Sequence, residues 1–234
     1  MNIKLSARFT PRAAGLLVGL ALVTMLSTPV IAKEKLPEVS SDGLQLLHDT
    51  KVAIAYAKPG ATLDQYTKLK ILDCFVDFKK GWQRDYNMDE IGLSGRVTDK
   101  DAEEIKQRLA AEFRKGFTDE LTKKGMQVVE DVGPDVLLLR PALINVDVEA
   151  PDIMSAGMQR TWVRSAGAMT LYMEFYDSAT STLLARVVDP QADNPAIAQQ
   201  ANRATNKAAA DRILRSWAGL LADHLGEMQQ TAED

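Results

Sequence analysis

One cysteine, two histidines and an aromatic content of 6% give this 234-residue chain little material for three common kinds of site chemistry. With Cys74 as the single thiol, no internal disulfide can form, so stability must come from an ordinary core. His48 and His224 stand far apart, and no His or Cys spacing matches a zinc site, so no metal and no cofactor is expected. The phosphate-cradling P-loop, the dinucleotide G-x-G-x-x-G and the nucleophile elbow G-x-S-x-G are all missing, and Ser165-Ala166-Gly167 does not supply the last of these. A surplus of base is missing too. Lys+Arg number 28 against 32 Asp+Glu, with no basic block, which argues against nucleic acid and against charge-driven binding to anionic lipid.

What is there is ordinary for a globular protein: 46% hydrophobic, 26% charged, 14 Gly and 9 Pro. That balance excludes disordered, collagenous and coiled-coil chains. Residues 1–32 read as an export leader. Lys4, Arg8 and Arg12 precede an apolar run over 13–26, and Val30-Ile31-Ala32 forms a small-residue cleavage site. A run of about fourteen residues is short of the roughly twenty that a membrane span needs. Cleavage is expected after Ala32, with no membrane span afterwards and a periplasmic or secreted destination. No cysteine lies near that site to be acylated as in a lipoprotein. Residues 33–234 then hold 25 basic against 32 acidic residues, a formal charge of −7, and suit a single domain.

Along that domain, 33–50 reads as a polar arm and 51–57 as a strand with Val52, Ile54 and Tyr56 alternating. Residues 69–78 read as one strand, with Leu72, Cys74, Val76 and Phe78 on its inner face. Thr98 and Asp101 form an Asp version of the capping box. They open a helix whose row Ile105, Leu109, Phe113, Phe117, Leu121 recurs every four residues and must be buried. A short strand at 126–130 and a longer one over 136–148 follow, the latter with Pro141 marking a bulge or an edge. Residues 150–167 read as a loop. The strand 168–176 has Met169, Leu171, Met173 and Phe175 on a dry face and Thr170, Tyr172, Glu174 and Tyr176 on a wet one. A polar hairpin turn leads to a strand over 183–188, and a helix over 196–228 closes the chain with Ile213, Trp217, Leu220, Leu221, Leu225 and Met228 as its stripe. Half-wet strands with only two strong helices predict an α+β fold: a two-layer sandwich of a largely antiparallel, twisted sheet with both helices on one face.

The segments 36–44, 81–87 (Gly-Trp-Gln-Arg-Asp-Tyr-Asn), 133–141, 150–152 and 165–177 together resemble the family called domain of unknown function 3313. The resemblance implies an exported bacterial envelope protein, many family members being lipoproteins, and brings no activity and no functional residues with it.

Five groups of residues invite chemistry. Trp82, Arg84 and Tyr86, with Asp85, would form an aromatic, cationic, aromatic ladder in extended chain, suited to a sugar ring or a carboxylate. Asp147 and Glu149 would sit about 7 Å apart on one strand face, the spacing of a two-carboxylate site. Cys74 reads as an inert core thiol and His224 as packed on the last helix's stripe. The stretch around Arg160, Trp162 and Arg164, together with Tyr172 and Tyr176, has the composition of a surface that meets another protein. No catalytic constellation is written in the sequence, so the reading is a non-enzymatic binding module whose partner is an envelope protein or other envelope component. The alternatives are a hydrolase or small-ligand binder centred on Trp82–Tyr86, and a purely structural envelope protein.

Overall fold

The computed structural model describes residues 35–89, 96–148, 161–163, 167–193, 199–201 and 203–233. The chain divides into two units, Met1–Leu36 and Pro37–Asp234, and the second holds every strand and helix named below.

Strand β8 (Gly167–Asp177) organises the molecule, because its Met169, Leu171, Met173 and Phe175 all turn to one side and are buried. It pairs antiparallel with β6 (Val136–Asp147) and with β9 (Leu183–Asp193). Outside β9 lie β2 (Ile54–Ala57) and then β1 (Gln45–Leu47), both antiparallel; beyond β6 lie β3 (Lys68–Ile71) and β5 (Gln127–Val128), both parallel to their neighbour. Strand β4 (Phe75–Phe78) continues along β6 where β3 leaves it. The helices α2 (Asp99–Lys123) and α3 (Arg203–Glu233) cover the dry face. Phe113, Phe117 and Leu121 of α2 and Leu214, Trp217, Ala218 and Leu225 of α3 join Leu137, Leu139 and Leu143 in one core. This is the expected α+β sandwich, and α2 begins on the expected box: Thr98 Oγ1 accepts from the Asp101 N–H at 3.2 Å, and Asp101 accepts from the Thr98 N–H at 2.8 Å.

Four local expectations need correction. The strand over 69–78 is two strands, because three residues, 72–74, face only two, Arg140 and Pro141, on β6. Leu72 N–H still reaches the Leu139 carbonyl, so by alternation the missing N–H of Pro141 points into this gap, where no ladder bond is lost. Strand β9 runs on through Pro190, since β2 has already ended opposite Val188 and leaves that side free. Residues 82–86 are helical, not extended: α1 (Trp82–Asp89) follows the positive φ of Gly81. The last helix starts at Arg203, preceded by the ladder of β10 (Gln199–Ala201) with β7 (Thr161–Val163).

The far side of the sheet is partly roofed by the arm. Its residues 37–44 turn back at Gly43, bury Leu44 to 2% exposure, and form a bridge from Val39 to Gln45, with the Leu46 N–H bonded to the Glu38 carbonyl. Thus the outer rim of β1 is occupied by the chain's own backbone.

Candidate functional site

Alternation along β8 puts Thr170, Tyr172, Glu174 and Tyr176 on the face away from the helices. Register then builds a row across it: Arg140 of β6, Glu174 of β8, Arg186 of β9 and Tyr56 of β2 are direct neighbours. Glu174 is only 6% exposed, yet it carries a charge. Its Oε1 accepts from the Tyr172 hydroxyl at 2.7 Å and from Arg186 Nε and Nη2 at 3.1 and 3.0 Å. Its Oε2 accepts from the Tyr176 hydroxyl at 2.7 Å and from Arg140 Nη1 at 3.4 Å. Arg186 in turn donates to Asp42 of the arm and lies 5.7 Å from the centre of the Tyr172 ring.

Burial opposes the charge on Glu174, but the two phenols and Arg186 outweigh it and hold the carboxyl below its ordinary value. Burial, then the bond to Glu174, pushes the Tyr172 phenol up to about 12. Burial and the same carboxylate also raise Tyr176. These shifts all move away from neutrality. A carboxylate with roughly four acceptor positions is filled by five donor contacts, and the phenols beside it are too weak as acids to lose their protons. The cluster is therefore a hydrogen-bonded network in which the Glu174 carboxylate stays charged and the two phenols stay protonated.

The other sequence candidates fall elsewhere. In α1, Trp82 and Tyr86 share a face at i, i+4 while Arg84 points away, so the extended ladder does not form. Trp82 is 5% exposed, stacks on Phe78 at 3.9 Å, and donates from Nε1 to the Val148 carbonyl at 3.0 Å. Arg84 bonds its neighbour Asp85 on the surface. Gln83 and Asn87 both donate to the Val97 carbonyl, and Asn87 accepts the Val97 N–H, which docks α1 beside the start of α2. The segments of Trp82 and Asp147 do meet, but by packing and by the Lys79–Asp147 ion pair at 2.8 Å. Cys74 is buried, and burial pushes its thiol up to about 12, consistent with an inert group. His224 is exposed instead of packed, because the buried stripe of α3 runs through Ala218, Ala222 and Leu225. Glu149, Arg160 and Arg164 lie outside the described residues, as does the side chain of Trp162 within β7. Among the described residues, no three His, Cys, Asp or Glu side chains gather as a metal site would need, and no helix is long and apolar enough to cross a membrane.

Of the cluster, Tyr172 and Tyr176 are expected at a surface from the sequence; the parts Asp42, Arg140 and Arg186 are not. Tyr-x-Glu-x-Tyr on one strand does signal three polar groups on one face, whereas its partners come from strands whose register the sequence does not state.

Among curated proteins no sequence matches this chain. It is similar to the PelC dodecamer structure from Paraburkholderia phytofirmans, with 9% identity over 71% of this chain and 95% of that one and a TM-score of 0.36. It is also similar to protein XCC0632 from Xanthomonas campestris, a protein of family DUF330, with 12% identity over 76% and 94% of the two chains and a TM-score of 0.41. The model of the family "Protein of unknown function (DUF3313)" matches residues 39–221, and the chain belongs to that family.

Proposed function

We propose that the protein is a non-enzymatic binding module of the bacterial envelope, exported through its leader to the periplasm, that docks another envelope component on the open face of its sheet. The observation that carries this reading is the state of Glu174: among the described residues, the one buried carboxylate of that face is fully occupied by phenols and guanidiniums, an arrangement that fixes a surface in place and leaves no group for proton transfer. Apolar groups beside it favour a docking role. Phe75 of β4 is 62% exposed and lies next to Ala142, and Leu138 and Ile144 flank the row as half-buried neighbours. The alternative of a hydrolase or small-ligand binder at Trp82–Tyr86 draws no support from a tryptophan that is packed into the core.

The test is affinity capture from native periplasm, comparing the wild type with a Phe75→Ser, Leu138→Ser variant and with a control altered on the exposed side of α2. The reading expects one component recovered by wild type and control and lost with the sheet-face variant. Recovery of the protein alone, or equal recovery by all three, overturns it.

A further inference from the structure

We infer that the open face recognises an acidic side chain set in an apolar, extended segment of a protein partner, and that Arg140 is the group that reads it. This rests on the docking reading above and adds the chemistry of the partner. Both oxygens of Glu174 are saturated, and Arg186 is divided between Glu174 and Asp42, with 18% of its side chain exposed. Arg140 differs. Its side chain is 65% exposed; it donates to the Tyr176 hydroxyl, and its contact to Glu174 is long, at 3.4 Å, through Nη1. A guanidinium carries five N–H donors, so Arg140, bonded to Glu174 and Tyr176, keeps donors to spare on an exposed side chain.

The exposure has a structural cause. Arg140 stands opposite the break between β3 and β4, where no regular strand lies beside it. Phe75 lies diagonally across that break, next to Ala142, and Tyr176 and Tyr172 border Arg140 on the other side. A fork of donors on a sheet face with aromatic and aliphatic borders suits a planar carboxylate carried on an apolar chain, which can place two oxygens on the fork while its neighbours cover Phe75. A phosphate, more strongly hydrated and usually held by several cations, gains less from one guanidinium with apolar flanks. Exposed Arg140 and Phe75 on a sheet face favour a protein segment over a small ligand, which needs a concave site.

The experiment is a nuclear magnetic resonance titration of the full mature chain, following the Arg140 Nε–H signal and the amides of β4 and β6. The probes are the peptide acetyl-Val-Thr-Glu-Val-Phe-amide, its Gln-for-Glu twin, and inorganic phosphate alone. The inference expects saturable shifts at Arg140 and Phe75 with the Glu peptide, binding at least about tenfold weaker with the Gln twin, and loss with Arg140→Gln. Phe75→Ser is expected to weaken both peptides alike. Equal binding of the twins, still weakened by Phe75→Ser, overturns the role of Arg140 while leaving the docking face standing. Saturation of Arg140 by phosphate alone overturns the assignment to a protein segment. Indifference of both peptides to Arg140 and Phe75, or no binding by either, counts against the inference, and the capture experiment then decides the docking reading separately.

Discussion

Glu174 and Asp189 are the two buried carboxylates among the described residues, and each ties different elements together. Replacing Glu174 by Gln leaves the part-buried Arg186 with Asp42 alone to balance it and weakens the bonds from both phenols, so a loss of about 2 kcal/mol is expected in urea unfolding. Because the folded state holds the Glu174 carboxyl below its ordinary value, its stabilisation is complete above the unfolded value and is lost as pH falls through the folded one. The wild type should therefore lose stability on acidification from about pH 5 downward, and Glu174→Gln should flatten part of that slope. On the helix side, Asp189 accepts from Trp217 Nε1 at 2.7 Å, from the Ala53 N–H at 2.8 Å and from Gln191 at 2.9 Å. Asp189→Ala would strand the buried indole N–H and should cost about 2–4 kcal/mol, read from the urea midpoint. At this scale the sequence is informative where polarity and alternation agree, as for Cys74. It misleads at Trp82, whose spacing to Tyr86 fits a strand face and a helix face equally well, and only packing on Phe78 decides between them.

Among the elements, β6 carries the main irregularities of the sheet. Between Ile144 and Asp147 its register with β8 slips, and Asn145 takes a φ of 52° to absorb the extra residue. Opposite, Gly167 has a φ of 151°, and a Cβ there would lie 2.8 Å from the Asp147 carbonyl oxygen. Gly167→Ala should destabilise by about 2 kcal/mol, since backbone and not a flexible side chain stands in the way. Asn145→Gly should stay within about 0.5 kcal/mol of the wild type, while Asn145→Val should cost about 1–2 kcal/mol, both measured by chemical unfolding. Equal effects of the two Asn145 changes would remove left-handed backbone as the cause. The helices and long strands are legible because their periods persist over many residues. The β3–β4 break is not, because its alternation is unbroken in sequence, and α1 is not, because eight residues show barely two turns of pattern.

For the molecule as a whole, stability should fall from the centre of the sheet outward. Strand β8 has an eleven- or twelve-residue partner on each side, whereas β1 and β5 have three and two residues. Native-state hydrogen exchange should find the amides of β8 and its two neighbours slowest and those of β1 and β5 much faster. Uniform protection would contradict a sheet that loosens towards its margins. The α+β class is readable because one-sided strands and two amphipathic helices leave few ways to bury every apolar face. Strand order is not, since the parallel pairing of β3 with β6 depends on contacts far apart in the chain. The bridge from Val39 to Gln45 has one more consequence. A foreign polypeptide approaching that margin meets amide and carbonyl groups already engaged, so the sheet cannot be lengthened there into a filament without first peeling away the turn at Gly43.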